Sequence, residues 1–334
     1  MSAEFGFEEI SRDAASVRAE MDQLLENDPF FRSLGDHRFM LSGKTVRGAL
    51  AVSACRLAGM DETGALRYGL VCELLHNASL IHDDLQDGDA VRRGAPSVWA
   101  RWGRETALNL GDYLIFLSRE LLAPPAVGAE AATNLSRAVD RNCRTACLGQ
   151  FRESRLSRGG TADRADYLAI AEAKTGAILR LPLAPLTDLP ERGSDEAFHL
   201  RRAISHFAVA YQIKDDIAEA VGAAESGETD TDERRNVWSA VRIVRLEVSS
   251  ARGEILPPGD PAVLQATLDW QLYATSSALE ELDHVRPAVA SLLRQVLLPF
   301  VHTPDVPAPH PPMRPSADFR EATAGPAGAS AEGR

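Results

Sequence analysis

Apolar residues recur at spacings of three and four through residues 7–26, 44–58, 63–86, 104–122, 132–156, 164–180, 195–221, 236–252 and 261–300. That spacing lines up one face of a 3.6-residue helix, so each segment is expected to be helical. Runs of alternating β-branched residues are absent, and no sheet is expected. Breakers fall between the helical segments: Asp28-Pro29, Arg93-Gly94-Ala95-Pro96, Ala123-Pro124-Pro125, Gly159-Gly160, Pro182 to Gly193, and Pro257-Pro258-Gly259-Asp260-Pro261. From about His302 the composition turns to Pro, Ala, Gly and charge, and seven of the 19 prolines lie there. Residues 303–334 therefore read as a disordered tail. The expected organisation is one all-α domain over residues 1–302, followed by that tail.

Composition narrows the partners. The net charge of −12 leaves no basic stripe to neutralise nucleic-acid phosphates. No stretch approaches 18 uninterrupted apolar residues, and the amino terminus is acidic and amphipathic, so neither a membrane span nor a signal peptide is expected. Cys55, Cys72, Cys143 and Cys147 form no CxxC and no evident disulfide framework, which fits inert thiols in the cytoplasm. Only Lys44, Lys174 and Lys214 interrupt an otherwise all-arginine set of 36 basic residues. A compact ammonium does different work from a planar guanidinium, so each lysine becomes a candidate for function.

Candidate chemistry centres on two acid clusters, Asp83-Asp84-Leu85-Gln86-Asp87 and Asp215-Asp216-Ile217-Ala218-Glu219. On a helix, positions i and i+4 share a face, so Asp83 lies with Asp87 and Asp215 with Glu219. Like charges at that spacing destabilise a helix, and Mg²⁺ shared between carboxylates and substrate phosphates would offset the repulsion. Glu73, His76/Asn77, Leu80 and Asp83/Asp84 form one stripe, with no Lys or Arg between Arg67 and Arg92 to mark a solvated face. Arg92-Arg93-Gly94 then sets guanidinium forks on a loop beside the first cluster, suited either to diphosphate oxygens or to pairing with Asp87 and Asp89. Lys44 and Arg47, three apart, share a face at a helix start with Ser42 as the expected N-cap, a second candidate anion site or an ordinary helix start.

In order along the chain stand Gly43-Lys44-Thr45-Val46-Arg47, Glu73 through Asp84, Arg92-Arg93-Gly94, Gly111-Asp112, Gly149-Gln150, Lys174-Thr175-Gly176 and Tyr211-Gln212-x-x-Asp215-Asp216. Together they resemble the trans-isoprenyl diphosphate synthases (polyprenyl synthetases), most closely the geranylgeranyl diphosphate synthase type, over about residues 40–240. The resemblance implies a bundle of antiparallel helices around a central cavity, the isoprenoid synthase type of fold, paired as a homodimer. It implies that Asp83 and Asp87 bind two Mg²⁺ and Asp215 a third, with Asp84 beside them. Lys174, Arg92, Thr175, Gln212 and Arg235 would hold the allylic diphosphate. Lys44, Arg47, His76 and Arg93 would hold isopentenyl diphosphate.

The implied reaction is Mg²⁺-dependent condensation of the two prenyl diphosphates. Ala78 and Ser79 are small where a bulky aromatic would stop the chain early, and Leu75 lies one turn deeper. These positions imply a product beyond fifteen carbons, with twenty expected. Four departures stand out. Glu219 replaces the usual Asp. Ser226-Gly227-Glu228-Thr229-Asp230 replaces a Gly-Lys loop. Arg235 takes a second lysine's place, ahead of Asn236-Val237-Trp238. Thr45 and Gly48 replace Arg and Pro. A terpene cyclase, an irregular coupling enzyme or a non-catalytic subunit of a heteromeric synthase are the alternatives.

Overall fold

The computed structural model describes residues 7–124, 127–189, 194–226 and 236–301. Arg235, the 227–230 loop and the 303–334 segment lie outside those residues. The described helices are α1 (Phe7–Asn27), α2 (Pro29–Leu34), α3 (Val46–Leu57), α4 (Glu62–Asp87), α5 (Val98–Trp102), α6 (Arg104–Leu121), α7 (Ala129–Ser157) and α8 (Arg164–Ala171). They continue with α9 (Ala177–Arg180), α10 (Ala184–Thr187), α11 (Asp195–Ser226), α12 (Ala240–Arg252), α13 (Pro261–Leu282) and α14 (Pro287–Val301). A π-helical turn, Glu172–Gly176, joins α8 to α9. The only described strands are Val91–Arg92 and Ala95–Pro96, an antiparallel pair that folds the arginine loop back on itself. Among the described residues no helix is long and apolar enough to cross a membrane.

Two expectations change in detail. The apolar run at 261–300 is two helices, because Pro287 cannot continue α13 and instead opens α14 with its φ already set. The N-cap of α3 is Thr45, at φ 56°, and not Ser42, whose hydroxyl donates to the Phe39 carbonyl at 2.8 Å. Lys44 therefore precedes the helix and does not share a helical face with Arg47.

Two buried apolar clusters build the core. One gathers α11, α12, α13 and α14; the other gathers α1, α4, α6 and α7, and α3 contributes to both. Close approach of α3, α4 and α1 rests on small residues. A Cβ at Gly48 would meet Val17 Cγ1 at 2.8 Å and Glu73 Cγ at 2.9 Å, and one at Gly69 would meet the Gly48 carbonyl at 3.1 Å. The Gly48 amide also donates to buried Glu73 Oε1 at 2.7 Å, a bond that the proline expected here from the resemblance could not make.

Candidate active site

α4 carries the first acid cluster from an Asp61 cap, whose side chain accepts from the Gly64 amide, to a left-handed Gly88. Its two neighbouring aspartates part company. Asp83 lines a cavity of about 310 Å³, whereas Asp84 is 3% exposed and accepts from Arg92 Nε at 2.8 Å and from Arg92 Nη2. Arg92, expected on the diphosphate, is thus engaged by Asp84. Asp87 lines a smaller neighbouring cavity with Glu153, Lys174, Gln212 and Asp216.

α11 repeats the division. Asp215 lines the large cavity; Asp216 is 5% exposed and accepts from Tyr167 Oη at 2.8 Å, the Ala240 amide at 2.7 Å and Gln212 Nε2 at 3.2 Å. Asp216 in this way fixes the start of α12, and burial still pushes its carboxyl up to about 7 against those hydrogen bonds. Burial raises Asp215 too, opposed by the Tyr211 hydroxyl and Lys214.

Lys174 stands on the π turn, a rare geometry that re-aims a side chain within a helical segment. Its Nζ donates to Glu153 Oε2 at 2.6 Å. Thr175 Oγ1 donates to Gln212 Oε1 at 2.9 Å, so Gln212 is held between Thr175 and Asp216. The Gly149 of the Gly-Gln motif is required by contact, since a Cβ there would sit 2.6 Å from the Lys174 backbone nitrogen. At Gly111 a Cβ would fall 2.1 Å from His82 Nε2, so the imidazole would have to swing aside.

On the other side of the cavity lining stand Arg47 and His76. Arg47 Nη1 lies 3.1 Å from His76 Nε2. A guanidinium only donates, so Nε2 is the acceptor and the proton sits on Nδ1. That Nδ1 is buried and without a protein partner, a donor in want of an acceptor. Burial first, then Arg47, Arg93 and Arg92, drive the His76 pKa well below its ordinary value. Arg93, at φ 53°, packs its guanidinium against Gly43, where a Cβ would meet Nη1 at 2.7 Å. Lys44 is exposed in the loop between them. Arg18 steadies that loop by donating to the Leu41 and Gly43 carbonyls.

The remaining wall of the large cavity is apolar, drawn from α3, α4, α9, α11 and α14. Of the positions expected to set product length, Ser79 lines it, while Leu75 and Ala78 are 3% and 1% exposed and packed in the core. Sequence reasoning missed Glu153, Tyr167 and Arg18. Glu153 sits three residues past Gln150, a spacing that returns to one helix face and was its available signal.

The donor set fits Mg²⁺. Hard carboxylate oxygens of Asp83 and Asp215 face one cavity, and buried Glu219 Oε1 has no partner. Asp83 is pushed up to about 6, by burial first and further by Asp87 and Glu153, against the pull of Lys174 and Arg92. A cation would relieve that strain. Among the described residues no three such side chains converge on one point.

The family model described as polyprenyl synthetase matches residues 28–257. A geranylgeranyl diphosphate synthase of Mycobacterium tuberculosis is 34% identical over 177 residues, 53% of this chain and 50% of that protein. A nonaprenyl diphosphate synthase of the same organism is 31% identical over 252 residues, 71% of this chain and 72% of that one. The first curated relatives are thus matched over about half their length. In structure, the geranylgeranyl pyrophosphate synthetase of Pyrococcus horikoshii superposes with a TM-score of 0.73 at 20% identity, covering 88% of this chain and 97% of that one, a likeness of fold.

Proposed function

Because the chain belongs to the polyprenyl synthetase family, we propose that it is a prenyltransferase that condenses isopentenyl diphosphate with an allylic diphosphate to a longer trans-prenyl diphosphate. One observation carries the reading: Asp83 and Asp215, from clusters far apart in sequence, share with Lys174 and Gln212 a cavity whose remaining wall is apolar.

Asp83, Asp87 and Asp215 are the residues that would hold Mg²⁺, three ions in all, and the bound ions supply charge neutralisation for the departing diphosphate. Lys174 adds a fixed ammonium beside them, and Gln212, oriented by Thr175 and Asp216, adds a directed amide. Arg92, which Asp84 engages, and Arg235 are proposed to complete the allylic diphosphate site. Arg47, Arg93, Lys44 and the Nδ1–H of His76 take the isopentenyl diphosphate. The apolar wall excludes water from the allylic cation, and the released diphosphate accepts the proton, so no side-chain base is needed.

The product is proposed to have twenty carbons, on the small Ser79 in the cavity lining. A homodimer is proposed on the exposed Leu108 and Phe116 of α6 and Leu148 and Phe151 of α7, apolar side chains that a second copy would cover. A cytoplasmic location is proposed on the four free cysteines.

The test is incubation with Mg²⁺, isopentenyl diphosphate and each allylic diphosphate of five to twenty carbons, with products identified by mass spectrometry. Elongated diphosphates support the reading. Hydrocarbons or terpene alcohols formed without isopentenyl diphosphate would replace it with a cyclase, and silence with every substrate would favour a subunit that needs a partner.

A further inference from the structure

On α4 below Asp83, His76, Ser79 and Leu80 line the cavity, while Leu75 and Ala78 are buried in the core. Val296, Leu297, Phe300 and Val301 of α14 supply one part of the apolar wall, next to parts from α3, α4, α9 and Phe207 of α11. The last turn of α14 is tied from two sides. Lys214 Nζ donates to the Phe300 carbonyl at 2.9 Å, and the buried amide of Gln271 donates to the Val301 carbonyl. The final carbonyls of a helix have no partner within it, so they are the groups that an outside donor can hold. Lys214 is the immediate neighbour of Asp215. The turn that presents the cavity acid therefore also fixes the turn that presents Phe300.

We propose that α14 determines product length, with the Phe300 ring as the surface that stops the growing prenyl chain. This rests on the prenyl-condensing function above and assigns its stop to a helix outside both acid motifs. The physical basis is packing. A prenyl tail is apolar and adds volume in five-carbon steps, and each step needs space that a close-packed interior does not yield. Phe207 of the same lining is 1% exposed and held in the core. Phe300 is half-buried at the helix end, where its size can change without unmaking the core.

The experiment compares the full-length protein with Phe300→Ala and Phe300→Trp. Each is given Mg²⁺, isopentenyl diphosphate and a short allylic diphosphate, and chain lengths are read by mass spectrometry. The expected result is a longest product at least one five-carbon unit longer in Phe300→Ala and a distribution shifted shorter in Phe300→Trp. Phe300→Leu gives an intermediate lengthening and carries the same test should the alanine variant fail to fold by circular dichroism. Elongation with an unchanged length distribution in the variants would overturn this inference alone. No elongated diphosphate from the unaltered protein would overturn the function and this inference together.

Discussion

Lys174 Nζ lies 2.6 Å from Glu153 Oε2, joining the π turn after α8 to the C-terminal turns of α7. Burial by itself would depress the ammonium, but Glu153, Asp83 and Asp87 together outweigh it and hold the Lys174 pKa above its ordinary value. The lysine is thus a permanent cation at the junction of the two cavities, and its position depends on a carboxylate outside both acid motifs.

Replacing Glu153 by Gln keeps the shape and removes the charge. The expected cost is about 1–3 kcal/mol of stability, from an ammonium left with a weaker partner. A urea midpoint equal to that of the unaltered protein would show that the pair contributes nothing.

Gly149→Ala places a methyl 2.6 Å from the Lys174 backbone nitrogen, and backbone cannot swing aside as a side-chain tip can. Overpacking of this kind costs roughly 1–3 kcal/mol. Because the displaced residue is Lys174, the KM for the allylic diphosphate should rise as well, measured by steady-state kinetics. A drop in stability with KM unmoved would separate the packing role from the positioning role.

Asp83→Asn removes a charge that the cavity needs for cations. Losing several kcal/mol of charge stabilisation lowers turnover by about a hundredfold or more. Asp84→Asn should act differently, loosening Arg92 and raising KM more than it lowers kcat. Equal kcat losses in both variants would argue against the division of labour between the paired aspartates.

His76 and His206 are both held neutral, each by burial first, with Arg47 adding to the effect at His76 and Arg202 at His206. A histidine with a lowered folded pKa binds fewer protons when folded than when unfolded. Its stabilisation is complete above the unfolded value near 6.5 and is lost as the pH falls from there toward the folded pKa. Asp83, at about 6 when folded against 3.8 unfolded, works in the opposite sense as the pH rises through that range. The difference between the unaltered protein and His76→Gln isolates the histidine. Urea midpoints taken from pH 8 to 5 should fall less steeply in the variant, and parallel curves would refute the buried neutral imidazole.

Much of this arrangement was legible in the residues. Helical periodicity located the long elements, and the i, i+4 spacing picked out the two acid clusters that the fold brings to one cavity. The Gly-Gln and Gly-Asp motifs carried no reason in sequence; their glycines are explained by contacts with Lys174 and His82, residues distant along the chain. The arginine loop showed two guanidinium groups but not that Asp84 engages the first while the second lies over Gly43.

Sequence by itself determined which faces exist: a helix repeats every 3.6 residues whatever surrounds it, so Asp83 with Asp87 and Asp215 with Glu219 follow from spacing alone. What each face meets is a matter of contacts between remote segments, and only the tertiary structure decided it. Asp84 and Asp216 differ from their neighbours Asp83 and Asp215 by one position, or about 100° of helix rotation. That rotation turns them from the large cavity onto protein partners, one onto Arg92 and the other onto the start of α12. The same long-range packing brought Glu153 to Lys174 and laid α14 along the cavity wall, where no local pattern marked either.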